Sequence, residues 1–231
     1  MKALQKFLIK SGIENVDALL NKFLLFSGEL QKANKTVNLT AITEPHEIEV
    51  KHFIDSLSGL EFIQGEVLDI GAGAGFPSIP LALVKEDVRI TMAESVGKKT
   101  EFLRAVCTTL ELRNVRIIHS RIEDLDKSVL YDTVVARALG ALNIICEYAL
   151  PFLKVGGLFI AYKAQKAQEE LAAAQNALRI LGGAVEDVVP YECIFNGERH
   201  ERNLVLIRKI STGIDDGKYP RGQNKPRLKP L

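Results

Sequence analysis

Residues Val67–Leu83 read VLDIGAGAGFPSIPLAL. An apolar run interrupted by Asp69 leads into Gly71, Gly73 and Gly75, and a second apolar run follows from Ile79. Glycine accepts positive φ and lets a ligand approach the main chain. A helix start leaves N–H groups that favour a carboxylate. The stretch predicts a buried strand, a tight turn and a helix beginning near Gly75. The spacing is G-x-G-x-G, not the G-x-G-x-x-G of a dinucleotide site. An acid just before the first glycine would repel a phosphate and suits an ammonium group, directly or through water. Asp69, Gly71, Gly73 and Gly75 are therefore candidate ligand-binding residues, the alternative being a strand–helix turn without a ligand.

Downstream, β-rich runs alternate with helical ones: VRITMAES, VRIIHS, YDTVVAR and GLFIAYK, with helices predicted near Lys98, Ala141 and Gln165. Near-continuous apolar strands separated by helices imply a parallel sheet covered on both faces. After Gly183 the alternation stops. AVEDVVPYE and RNLVLIRK flank a polar loop, FNGERHE, which predicts a hairpin and an antiparallel final strand. The expected fold class is α/β: the Rossmann-like, seven-stranded, mostly parallel sheet of the class I S-adenosylmethionine-dependent methyltransferases. Upstream, a stripe of Leu19, Leu20, Phe23, Leu24 and Leu30 and a second, Ile48, Phe53, Ile54 and Leu57, predict helices, with Pro45 at a first helical position. The expected organisation is a helical extension over 1–60, the sheet domain over 61–210 and a basic tail over 211–231.

The fold gives the strand ends their meaning. Glu94 closes the second strand, where an acid accepts hydrogen bonds from both ribose hydroxyls. Glu123, after the third strand, is either an adenine-edge contact through its backbone or a helix-start acid. Arg137 closes the fourth strand, where acceptor chemistry concentrates. There is no Asn/Asp-Pro-Pro-aromatic clamp there, and Cys146 falls inside an apolar helix, away from nucleophilic use. Arginine cannot act as a base, but it binds a carboxylate, a phosphate or the O6 and N7 edge of guanine. Guanine N7 presents a lone pair already, so its methylation needs orientation and no proton removal. An ion pair with a site acid is the other reading of Arg137.

The composition agrees with these limits. Over 231 residues, 47% are hydrophobic and the formal net charge is +1, so any nucleic-acid contact must come from a local basic patch. Cys107, Cys146 and Cys193 are far apart, which argues against a metal site or disulfides and for buried thiols in a reducing cytosol. No run approaches the roughly 20 apolar residues of a membrane span. A cytoplasmic protein, without membrane contact and monomeric, is expected.

Together these motifs resemble the ribosomal RNA small-subunit methyltransferase G family (RsmG, also called glucose-inhibited division protein B). The resemblance rests on NLTAI (38–42), H-x-x-D-S-L (52–57), DIGAGAGFPSIPLA (69–82), ESVGKKTEFL (94–103), ARAL (136–139), GERH (197–200) and the tail YPRGQNKPRLKPL. It implies methylation of guanine N7 in 16S rRNA, free or in the small ribosomal subunit, with S-adenosylmethionine as donor. It also implies donor contacts at Gly71, Phe76, Glu94, Ser95, Ile122, Glu123 and Arg137. Two positions depart from the family: Ser78 and Ala164 stand where glycine is usual.

His52 and Asp55 share a helix face, either catalytic or joining the helix to the sheet domain. Lys98 and Lys99 are either RNA contacts or solvated charges. The tail from Gly217 carries Lys218, Arg221, Lys225, Arg227 and Lys229 without an acid, and Pro220, Pro226 and Pro230 make an irregular, extended segment the expectation. With Lys163, Arg199 and Arg202 these are the candidate RNA-binding residues. A solubilising tail, or one docked on its own domain, is the alternative. A small-molecule methyltransferase and a non-catalytic donor-binding module are the competing functions.

Overall fold

The computed structural model describes residues 1–214 and 217–231. Seven strands form one sheet in the order β3-β2-β1-β4-β5-β7-β6. They are β1 Glu66–Ile70, β2 Arg89–Glu94, β3 Val115–His119, β4 Tyr131–Arg137, β5 Leu153–Lys163, β6 Gly183–Phe195 and β7 Glu198–Lys209. Strands β1–β5 run parallel, and β7 joins β5 antiparallel. The expected fold class is therefore the observed one. The order reverses direction between β1 and β4, and α/β ligands bind outside the carboxyl ends of strands at such a switch point.

Four helices cover the sheet: α5 Ser78–Val84, α6 Gly97–Thr109, α7 Leu142–Ala149 and α8 Ala167–Leu181. The first starts three residues later than predicted. Gly71, Gly73 and Gly75 all have positive φ, so right-handed helical geometry cannot begin until after Gly75.

At the amino end, α1 Lys2–Lys10 and α2 Val16–Val37 precede a helix beginning at Pro45. Glu44 caps that helix by accepting from the Glu47 N–H (2.7 Å). It runs as α3 Pro45–Ile48, a π-helical turn Glu49–Ile54 and α4 Asp55–Leu57. One sequence expectation fails on α2: Leu24 is 54% exposed, while Phe23, Phe26, Ser27 and Leu30 are buried. The inward stripe follows the steps of three and four through Phe26, which rotates Leu24 outward. These helices share one apolar core with a face of the sheet, through Leu4, Leu8, Phe23, Phe26 and Phe53 packed with Phe76, Ile79 and Leu103. A second core lies under α7 and α8.

Two further expectations are corrected. FNGERHE is not a seven-residue loop. Strands β6 and β7 pair as far as Phe195–Glu198, and only Asn196 and Gly197, both at positive φ, make the turn. Asn-Gly is the preferred pair for a two-residue type I′ turn. The tail is not extended either. It contains a short helix, α9 Lys225–Leu228, buries Pro226, and packs Tyr219 and Leu231 against the second core.

All three cysteines are buried and unpaired, and burial pushes the Cys107 and Cys193 thiols up to about 12 and raises Cys146 further. No helix among the described residues is long and apolar enough to cross a membrane, and the described residues hold no metal-ligand cluster.

Candidate functional site

A cavity of about 610 Å³ opens at the carboxyl ends of β1, β2 and β4. That volume lies within the usual range for a small-molecule site. Its wall brings together Gly71–Ala74, Phe76, Glu94, Ser95, Ile122, Glu123 and Arg137 from separate strand ends. Sequence reasoning had also singled out Asp69 and Gly75. Gly75 packs under Ile79 and Leu103, and Asp69 is fully buried behind the wall.

Asp69 accepts a hydrogen bond from Ser78 Oγ (2.6 Å), so the serine ties β1 to the first turn of α5. Asp69 Oδ1 has no partner among the described residues. Burial raises the carboxyl to about 7, against the opposing effect of the serine.

Glu94 is 6% exposed, and each carboxylate oxygen accepts one backbone N–H: Oε2 from Gly73 (2.9 Å) and Oε1 from Val96 (2.8 Å). A carboxylate offers about four acceptor directions. Two are spent bracing the glycine loop and the turn after β2, which leaves one on each oxygen for a pair of adjacent hydroxyls. Each hydrogen bond to a charged group contributes roughly 1.5–3 kcal/mol. Glu94→Ala should weaken binding of S-adenosylhomocysteine, measured by calorimetry, by at least about tenfold; an unchanged dissociation constant would place the ribose elsewhere.

Arg137 anchors the opposite wall. Nη1 donates to Asp55 Oδ2 (2.7 Å) and the Lys51 carbonyl (3.3 Å), and Nη2 donates to His52 Nδ1 (3.1 Å). The π turn brings these acceptors to one guanidinium, so His52 and Asp55 join the helix to the sheet domain, one of the two roles open to them. Asp55 Oδ1 also accepts from Tyr191 OH (2.8 Å), and Arg202 Nε lies 3.8 Å away. The Arg137 guanidinium lies over Phe76, 4.9 Å from the ring centroid, and His52 stacks on the same ring at 4.3 Å. Three of the five guanidinium N–H groups are used. The other two have no partner among the described residues, at the cavity wall.

The hydrogen-bond pattern also decides the His52 tautomer. Arginine only donates, so Nδ1 accepts and the ring proton sits on Nε2, 2.8 Å from Thr40 Oγ1. Thr40 Oγ1 also accepts from the Ile42 N–H (3.0 Å), which leaves its own O–H free to donate at the cavity wall. Asn34 fixes this loop by accepting from the Leu39 and Thr40 N–H groups (2.7 and 2.9 Å). Burial, and then the Arg137 charge, lower His52 to about 3. Its folded value lies below the unfolded 6.5, so the unfolded chain binds the extra proton. Its contribution to stability is present above pH 6.5 and is lost as pH falls toward 3. Its ring resonances, followed by NMR, should show no titration between pH 5 and 8; a midpoint near 6.5 would contradict the arrangement.

The candidate RNA-binding residues divide. Lys163 Nζ contacts Glu170 (2.5 Å) and the Gly140 carbonyl (2.8 Å), bracing the loop after β4. Arg221 turns inward to Glu147, and Arg227, exposed, hydrogen-bonds the Leu139 carbonyl. Lys218, Lys225 and Lys229 have exposed side chains, Arg199 is exposed 3.5 Å from Glu192, and Arg202 is partly buried beside Asp55. Lys98 is exposed, while Lys99 borders the cavity. Thr40 and Asn224 are wall residues that sequence reasoning did not reach as site residues.

Comparison with known proteins agrees with this geometry. The family model described as rRNA small subunit methyltransferase G matches residues 19–201. A protein of Alkaliphilus oremlandii named ribosomal RNA small subunit methyltransferase G is 37% identical, over 98% of both chains. One of the same name from Pelotomaculum thermopropionicum is 41% identical, over 95% of this chain and 94% of its own. Among solved structures, M. jannaschii TYW2 in complex with AdoMet superposes with a TM-score of 0.54 at 20% identity, over 68% of this chain and 76% of that one, which bears on the fold alone. The extent of the family match and the near full-length identity make this chain a member of the rRNA small subunit methyltransferase G family.

Proposed function

We propose that the chain is a cytoplasmic enzyme that transfers a methyl group from S-adenosylmethionine to N7 of a guanine in 16S rRNA, free or in the small ribosomal subunit. The observation that carries the choice of acceptor atom is the Arg137 end of the cavity. It presents hydrogen-bond donors, and among the described residues the groups there that could take a proton are engaged. The lone pair on His52 Nδ1 is committed to Arg137, Asp55 is ion-paired with Arg137 and accepts from Tyr191 and Cys193, and the thiols are buried. Attack by N7 needs no base, since its lone pair is already available.

The donor, when bound, supplies an electrophilic methyl group on a sulfonium. The residues then have separable tasks. The Gly71–Ala74 loop receives the amino-acid end, Glu94 the ribose hydroxyls, and Ser95, Ile122 and Glu123 the adenine side. Asp69 acts through the turn that it ties to Ser78. Arg137, backed by Phe76, directs its two uncommitted N–H groups to the guanine O6 edge and leaves N7 facing the methyl group. Thr40 adds a further donor at the same end. When the purified protein is incubated with labelled donor and rRNA from cells lacking it, the labelled nucleoside should be N7-methylguanosine. Label on an exocyclic amine or a ring carbon would overturn the assignment.

The RNA face is formed by Lys218, Lys225 and Lys229 with Arg199 and Arg202. Each single-strand phosphate contact contributes about 0.7 to the slope of log affinity against log salt. Replacing Lys225, Lys229 and Arg199 together by alanine should make that slope shallower by roughly 2; parallel lines would remove these residues from the RNA face.

A further inference from the structure

The carboxyl-terminal segment is held by one buried carboxylate. Glu147 on α7 has no solvent exposure, and Arg221 supplies three hydrogen bonds to it: N–H to Oε1 (2.9 Å), Nε to Oε1 (2.8 Å) and Nη2 to Oε2 (2.6 Å). The same Nη2 donates to the Lys229 carbonyl (2.8 Å), so Arg221 fastens both ends of the segment that carries α9. Lys127 Nζ reaches the Gly217 carbonyl from the other side (3.3 Å). A buried carboxylate satisfied by one arginine is a costly arrangement to break, because the partner would be left as a buried charge.

This anchorage delivers Asn224 and Arg227 to the cavity that also holds Gly71 and Glu94. Arg227 hydrogen-bonds the Leu139 carbonyl (3.3 Å) and lines the cavity together with Tyr148. Tyr148 and Glu123 line the same cavity, on the side assigned above to adenine. Leu139 in turn packs against Gly71, where an added Cβ would come within 2.7 Å of its Cδ1. Tail, Leu139 and glycine loop are thus in direct succession.

We propose that the docked tail is a structural part of the donor site, with Asn224 and Arg227 closing the adenine side of the cavity. The inference rests on the donor reading above. The Asn224 carboxamide offers two donors and an acceptor, the chemistry an adenine edge requires. Arg227 holds the Leu139 carbonyl. Because docking and donor binding share one wall, each favours the other by the same factor. The basic residues Lys218, Lys225 and Lys229 lie on this segment, so phosphates that meet them act on a wall of the donor cavity.

The test measures S-adenosylhomocysteine binding by calorimetry, with no RNA present, in the full-length protein and in Asn224→Ala, Arg227→Ala and the double variant. Arg221 and Glu147 stay intact, so the anchor and fold are preserved, as thermal unfolding should verify. The double variant is expected to bind at least about tenfold more weakly. In the wild-type protein S-adenosylhomocysteine should also slow tryptic cleavage after Lys218 and Arg227. Wild-type affinity in the double variant, with Glu94→Ala still impaired, would overturn the tail's role and leave the donor reading standing. Failure of the wild-type protein to bind S-adenosylhomocysteine would overturn both. Cleavage at an unchanged rate with saturating ligand would also count against the coupling.

Discussion

Gly71→Val is expected to lower affinity for S-adenosylhomocysteine by at least about 100-fold while the protein still folds. Gly71 has φ +78°, a region in which a β-branched residue is a genuine outlier. Holding such a residue there costs of order 1–3 kcal/mol. The first added carbon also meets Leu139 Cδ1 at 2.7 Å. Leu139 Cδ1 is the end of a flexible side chain and can turn aside, so the positive φ is what forces the change. The loop must move, and the loop is the wall that the donor approaches. A 100-fold loss corresponds to about 2.7 kcal/mol, within reach of these effects. Calorimetric titration alongside circular dichroism decides the matter: wild-type affinity in a folded variant would sink the glycine-loop assignment.

Removing the Arg137 side chain has two consequences that a pair of variants separates. Arg137→Ala takes a positive charge from Asp55, which keeps the Tyr191 hydroxyl, the Cys193 thiol and a more distant Arg202. Breaking a buried pair in this way costs roughly 3–5 kcal/mol, so a lower melting temperature is expected. Arg137→Lys restores the charge to Asp55 but not the planar fork that reaches three acceptors and still offers two donors. Melting temperature should largely recover in the lysine variant. Turnover should not, because misplacement of a reacting base by about 1 Å is enough to cost 100-fold. Donor affinity should change little. Near-normal turnover in Arg137→Lys would reduce the residue to a structural ion pair.

Much of the scaffold was legible because central parallel strands are apolar throughout, and their ends carry the polar exceptions: Asp69, Glu94 and Arg137. The hairpin was only half legible. Beyond the Lys163–Asn203 pair, β7 leaves β5 and pairs only with β6, so residues 198–202 are polar although they are strand. Leu24 misled because four adjacent leucines and phenylalanines fit two overlapping stripes, and Phe26 decides between them. Arg137 could be seen as a site residue, but its partners lie on a helix more than 80 residues earlier in the chain. Glu147 gave no sign of its role: it is one acid in an apolar helix, and Arg221, which it binds, is 74 residues away in a proline-rich segment. Composition alone made that segment look extended. One buried carboxylate folds it back onto the catalytic domain.

The most direct measurement of the central claim is mass-spectrometric mapping of modified nucleosides in 16S rRNA from cells with and without the protein, complemented by wild type or by Arg137→Lys. One N7-methylguanosine should be present with the wild-type protein, absent without it and strongly reduced with the arginine variant. An unchanged N7-methylguanosine content in cells lacking the protein, or loss of a different methylated nucleoside, would contradict the account.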